Sequence, residues 1–232
     1  INGKWIPAPG YELFQAIQDA LGDGLPIIAE DLGIITPEVD ALRKAFHFPG
    51  MKVLQFAFDS LGESSYLPHR FTTVDCVCYT GTHDNDTSLG WYRTLDPKCQ
   101  RKVRLYTNST DALKPGWALI RSALSSIAAY AVFPLQDVLG YGSDARMNTP
   151  GSASGNWDWR FTGGALRDEL AEALKEITVL YGRHVLRDTP EDTSDEPQEE
   201  ALPAKGSLTG EETLVNENSP AKDNSRTGGI GR

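Results

Sequence analysis

Val74-Asp75-Cys76-Val77-Cys78-Tyr79-Thr80-Gly81-Thr82-His83-Asp84-Asn85-Asp86 runs from an apolar segment into a turn crowded with acids and amides. Val74 to Tyr79 reads as a buried strand, because β-branched, aromatic and cysteine side chains dominate it. The turn then delivers His83 and Asp84 at the strand's carboxyl end. Leu25 to Ala29, followed by Glu30-Asp31-Leu32-Gly33, has the same form. Parallel α/β folds build their active sites at the carboxyl ends of strands. Glu30 and Asp84 are therefore the leading candidates for a pair of carboxyl groups that meet on one substrate.

Working outward, the remaining pattern alternates helix and strand. Pro9-Gly10 opens a helix whose apolar positions Leu13, Phe14, Ile17 and Leu21 share a face, and Gly22 and Gly24 end it. Thr36 caps a second helix with Pro37 at its first position, an inner stripe of Val39, Leu42 and Phe46, and a stop at Pro49-Gly50. Met51 to Phe58 reads as a strand, followed by a long loop to Arg70. Beyond Asp86 the spacing predicts a short helix near Ser88 to Arg93, one capped by Asp96 with Pro97, and one from Pro115. A short strand over Ala129 to Leu135 follows, then a Gly-rich loop from Gly140 to Asn156, and a last helix from about Gly164 to Tyr181 with Leu166, Leu170, Leu174 and Ile177 inward. Four strands alternating with helices predict repeated β-α units and a parallel sheet, half of an eight-stranded barrel.

Composition narrows the partners. Residues 187 to 232 hold eleven acids and five bases, net −6 of the chain's −10, so the body carries only −4. That balance argues against nucleic acid or an anionic membrane surface, and suits a near-neutral ligand. The tail has no aromatic residue and cannot bury enough apolar surface to offset its ordering entropy, so it is expected to be disordered. Three cysteines, an odd number, do not form a disulfide framework in a 232-residue chain, which points to a reducing compartment. No apolar run is long enough for a membrane span, and no signal peptide opens the chain. The start at Ile1 rather than methionine suggests a piece of something longer.

Taken together, Ala29-Glu30-Asp31-Leu32-Gly33, Ile35-Thr36-Pro37-Glu38-Val39, Pro49-Gly50-Met51-Lys52-Val53-Leu54-Gln55-Phe56, Thr82-His83-Asp84-Asn85-Asp86-Thr87, and Arg146-Met147-Asn148-Thr149-Pro150-Gly151 with Gly155-Asn156-Trp157 form an ordered set of motifs. The set resembles the amylomaltase family of 4-α-glucanotransferases, or disproportionating enzymes, of the α-amylase clan. The likeness runs from about Trp5 to Arg183. It implies the C-terminal half of a (β/α)8 TIM barrel with helical insertions over residues 1–186, plus a disordered acidic tail over 187–232.

The resemblance also implies roles. Glu30 is similar to the general acid/base, Asp84 to the aspartate that stabilises the transition state, and His83 beside it to a residue holding the sugar in the cleaved subsite. The third carboxylate, an aspartate nucleophile, belongs to an Arg-x-Asp motif on an earlier strand. Before Glu30 this chain offers only Glu12, Asp19 and Asp23, on or just after the first helix, so the nucleophile is absent. The implied partners are α-1,4-glucans and a glucose acceptor, with no cofactor and no metal, in the cytoplasm or a plastid stroma.

Read from chemistry, Glu30 suits proton transfer if burial or an ionised neighbour such as Asp31 raises its pKa. Asn148, Pro150 and Gly151 sit on a loop that lines the same mouth, where glycine lets backbone approach a sugar. Trp91, Tyr92 and Trp157 are candidates either for stacking on sugar faces or for core packing. Asp86 is expected to cap the helix after the turn, and Cys76, Cys78 and Cys99 to be buried bystanders. Other readings are a hydrolase of the same clan, a metal-dependent barrel enzyme with acids binding Mg2+, and an inactive fragment with unpaired strand edges.

Overall fold

The computed structural model describes residues 6–111 and 114–184. Helix α1 spans Gly10–Leu21 and α2 spans Pro37–Ala45. Thr36 caps α2 by accepting the Val39 amide, while Glu38 and Asp40 in the first turn and Arg43 and Lys44 in the last complement the helix dipole. The two helices meet through aromatic rings: Phe14 lies 5.5 Å from Phe46 and 4.9 Å from Phe48. Leu13 and Leu21, expected inward, are exposed.

Three strands follow, β1 (Gly50–Val53), β2 (Cys76–Tyr79) and β3 (Tyr130–Val132). They form one parallel sheet in the order β1-β2-β3, with Gly50 beside Cys76 and Val77 beside Tyr130. Helices α3 (Ser88–Thr94), α4 (Pro97–Thr107) and α5 (Pro115–Leu124) lie between β2 and β3 in the chain. Asp96 caps α4 by accepting the Lys98 and Cys99 amides, and Pro97 and Pro115 occupy first helical positions where no N–H is needed. The main core joins β2 to these helices: Leu54, Phe58, Cys76, Cys78, Trp91, Tyr92, Val103, Leu119 and Ala123 are all buried. Beyond β3 come α6 (Leu135–Leu139) and α7 (Asp168–Leu180), whose Val138 and Ile177 pack with Ile120 and Leu124 of α5 in a second cluster.

The sheet departs from expectation in instructive places. Leu25 to Ala29 is not a strand. Pro26 has no N–H to give to a ladder, and the Ile27 amide turns back to Leu25, so one backbone bond, Ala29 N to Pro49 O at 2.9 Å, ties the segment to the start of β1. A side chain takes over the next rung: Asp31 Oδ1 accepts the Met51 amide at 2.6 Å. The strand expected over Met51 to Phe58 stops at Val53, where Leu54–Ala57 winds into a 3-10 turn. The strand expected over Ala129 to Leu135 contracts to Tyr130–Val132, and α6, which the sequence reading passed over, opens at Leu135. The last helix starts at Asp168 after a 3-10 turn over Gly163–Ala165, which leaves Leu166 outside it and exposed.

The architecture is therefore α/β, with three parallel strands rather than four among the described residues. The predicted acidic tail over 187–232 lies outside the described residues. No helix among those described is long and apolar enough to cross a membrane.

Candidate active site

A cleft of about 620 Å³ opens at the carboxyl ends of the strands. Glu30, His83, Asp84 and Trp157 line it together with Met51, Phe56, Tyr79, Phe133, Gln136 and Arg146. Four of the nine residues singled out from sequence thus share one cavity, although they come from three separate stretches of chain.

The turn after β2 is built by its own polar side chains. Asn85 Oδ1 accepts the Thr82 amide at 2.9 Å and the Thr82 hydroxyl at 2.8 Å, and Thr82 Oγ1 accepts the Asp84 amide at 3.3 Å. Such closed turns are why Thr, Asn and Asp cluster in loops, and this one leaves His83 and Asp84 exposed at its tip. Two residues from the far loop then hold Asp84. Asn148 Nδ2 donates to Asp84 Oδ1 at 2.6 Å, and Arg146 Nη2 donates to the Asp84 backbone carbonyl at 2.7 Å. His83 Nε2 stands 3.4 Å from the same Oδ1. Asp84 lines the cleft, and its Oδ2 has no protein donor among the described residues.

Trp157 covers the other side of His83, with ring centroids 5.0 Å apart and planes inclined at 37°. Its backbone sits in the left-handed region at φ 64°, an unfavourable conformation for a bulky residue, and its amide donates to Met147 O at 2.7 Å. Asn156 Oδ1 accepts the Thr149 amide at 2.8 Å and Asn156 Nδ2 donates to Ser152 O at 3.0 Å, so the loop from Met147 to Trp157 closes on itself. Gly151 lies in that loop, exposed and at φ 81°, outside the cleft lining. Its missing Cβ serves the turn.

Other expectations change. Asp31 does not act as an ionised neighbour turned toward Glu30: its Oδ2 lies 3.3 Å from Arg43 Nε, and its other oxygen holds Met51. Trp91 and Tyr92 are core residues, with Trp91 6.1 Å from Phe58. Asp86 does not cap α3. Thr87 does, by accepting the Gly90 amide at 3.0 Å, while Asp86 accepts the Thr87 amide and the Ser143 hydroxyl and so ties the two loops together. The three cysteines are free and buried, and burial pushes the Cys78 thiol up to about 12. Among the described residues no three His, Cys, Asp or Glu side chains gather as a metal-ligand set.

Sequence reasoning assigned no role to Arg146, Gln55, Gln136 or Asp137. Gln55 Nε2 donates to Asp86 O at 2.9 Å from beneath the acidic turn. The signal available for Gln136 and Asp137 was two polar residues inside Phe133-Pro134-Leu135-Gln136-Asp137-Val138-Leu139, directly after a strand. Burying such groups is costly unless they are fully hydrogen-bonded, so their presence there marks a built network.

Comparison with known proteins places the chain in a family. The sequence profile of the 4-alpha-glucanotransferase family matches residues 1–166. The chain is 56% identical over 184 residues to a 4-alpha-glucanotransferase of Synechocystis sp., a match covering 79% of this chain and 36% of the relative. It is 49% identical over 189 residues to a 4-alpha-glucanotransferase of Thermus thermophilus, covering 79% of this chain and 38% of that protein. Among solved structures, the amylomaltase from Streptococcus agalactiae in complex with acarbose superposes with a TM-score of 0.75 at 36% identity, over 79% of this chain and 37% of that one. The chain thus spans somewhat more than a third of the length of these relatives. It belongs to the 4-alpha-glucanotransferase family.

Proposed function

We propose that this chain carries the acid/base and transition-state-stabilising side of a (β/α)8-barrel active site. The parent activity is 4-α-glucanotransferase: an α-1,4-glucan is cleaved and its glycosyl unit passed, with retention, to the 4-hydroxyl of another glucan or of glucose. The observation that carries the reading is that Glu30 and Asp84 line one cleft with His83 and Trp157. A retaining transfer needs a carboxyl group to protonate the departing oxygen and then, as carboxylate, to deprotonate the incoming hydroxyl. Glu30 takes that role. Asp84 stays ionised and, through its open Oδ2, accepts hydrogen bonds from ring hydroxyls that tighten as oxocarbenium character develops. His83 and Trp157 hold the same sugar, Trp157 by offering an aromatic face, while Asn148 and the Gly151 turn frame the acceptor side.

The covalent glycosyl-enzyme step requires an aspartate nucleophile, which this reading assigns to sequence outside residues 1–232, so the chain alone is expected to be inactive. The chemistry needs no cofactor. Three unpaired, buried thiols support a reducing location, the cytoplasm or a plastid stroma.

The test is a hybrid in which residues 1–184 replace the matching segment of the Synechocystis relative, assayed for disproportionation of maltotriose. The expected products are glucose and longer maltodextrins, with Glu30→Gln lowering turnover by about 10²–10⁴-fold. Release of glucose without longer products would reassign the chemistry to hydrolysis, and a folded hybrid that leaves maltotriose untouched would overturn the reading.

A further inference from the structure

Two consecutive side chains at the opening of α6 reach opposite loops of the cleft. Asp137, 2% exposed, accepts three hydrogen bonds: from Thr80 Oγ1 at 2.6 Å, from the Ser88 amide at 2.7 Å and from Ser88 Oγ at 2.7 Å. Thr80 directly follows β2 and Ser88 begins α3, so one carboxylate brackets both ends of the turn that displays His83 and Asp84. Gln136, also buried, donates from Nε2 to Ala145 O at 3.1 Å, the carbonyl just before Arg146 in the loop that carries Asn148. The loops are in turn joined by Ser143 Oγ donating to Asp86 Oδ2 at 2.6 Å and by the Arg146 and Asn148 bonds to Asp84. Gly90 lacks the Cβ that would strike Asp86 and Ser143 at that crossing.

We propose that Gln136 and Asp137 are positioning residues that fix the acidic turn and the Arg146–Asn148 loop relative to one another, and so set where Asp84 meets a substrate. A buried carboxylate with three donors is costly to disrupt, because removing it strands the Ser88 amide and two hydroxyls away from water. A generic packing role does not account for the arrangement, since every donor to Asp137 comes from an end of the same turn. The pair reaches both walls of the cleft from a helix of only five residues. This proposal rests on the assignment of Asp84 to the substrate only for its functional consequence; the bracket itself does not.

Hydrogen exchange on the full 232-residue chain separates the two. In Asp137→Ala the amides of Thr82 to Ser88 are expected to exchange about tenfold faster or more, while Val77 in β2 and Leu119 in α5 keep their protection. Asp137→Asn should restore most of that protection, because its amide still accepts from Ser88 N and the two hydroxyls can turn to accept from its NH2. Gln136→Leu should loosen Ala145 and Arg146 and leave Thr82 to Ser88 closer to the parent. A uniform rise across β2, α3 and α5, or an unchanged turn, would overturn the proposal. In the hybrid enzyme Asp137→Ala is expected to lower kcat for maltotriose on the order of 100-fold with KM within about threefold, and Asp137→Asn to recover most of it. If the exchange pattern holds while the unsubstituted hybrid is inactive, the glucanotransferase reading fails and the bracket stands.

Discussion

Asp84 and Asp137 show how differently one residue type is used within a single site. Asp84 is exposed, held through one oxygen by Asn148 and without a protein donor at the other, which suits the ligand-binding role proposed for it. Asp137 is enclosed, and burial raises its carboxyl above the ordinary value of 3.8, against the lowering effect of its bonds to Thr80 and Ser88. The folded chain therefore binds this proton more tightly than the unfolded chain does. The stabilisation is fully present below pH 3.8 and is lost as pH rises through the higher folded value. The melting temperature of the parent should accordingly fall relative to that of Asp137→Asn, whose side chain does not titrate, as pH rises from about 3.5 toward 7. A difference independent of pH would contradict the buried, proton-binding environment.

At the scale of elements, the helices were the legible part. Thr36-Pro37 and Asp96-Pro97 each state a cap and a first turn, and both helices begin where those residues put them. Strand ends were less legible, because Phe56 and Phe58 suit a strand by propensity and yet Leu54–Ala57 winds into a 3-10 turn, with Leu54 in it and Phe58 just past it buried in the core. Tertiary packing decides such cases. The short α6 lay hidden because Leu135 to Leu139 is too brief for a helical period to show. The junction of Glu30 with β1 was also invisible, since it depends on Asp31 replacing a ladder carbonyl. Gly50 permits it: a Cβ there would collide with the Asp31 carboxylate. Gly50→Ala is expected to cost about 1–3 kcal/mol in urea unfolding, and Asp31→Ala to relieve part of that in the double variant. Additive losses would show that the two residues do not press on each other.

For the molecule as a whole, the sequence singled out Glu30 and Asp84, only the second of which follows a strand, and did not show which other side chains converge on them. Glu30, His83, Asp84 and Trp157 could be named from their motifs, while Arg146, Gln136 and Asp137 emerge only when β3 and α6 bring residues 133–148 against the turn after β2. The same fold hides the thiols. Cys76, Cys78 and Cys99 are buried, and with Cys78 pushed up to about 12 the folded chain at pH 8 should leave all three unreacted with an aromatic disulfide reagent until denaturant is added. Rapid labelling of Cys76 or Cys78 would mean that the core around β2 is open.

In the proposed reaction Glu30 moves the proton and Asp84 stabilises the charge. The most direct measurement compares maltotriose with α-maltosyl fluoride as donor for the Glu30→Gln and Asp84→Asn forms of the hybrid enzyme, with azide supplied as acceptor. Fluoride leaves without a proton, and azide needs no base to attack. Glu30→Gln should therefore fail on maltotriose yet turn over the fluoride at a rate approaching the parent's, whereas Asp84→Asn should lose about 10²–10³-fold on both donors. Equal losses on both donors for Glu30→Gln would contradict its role as acid and base.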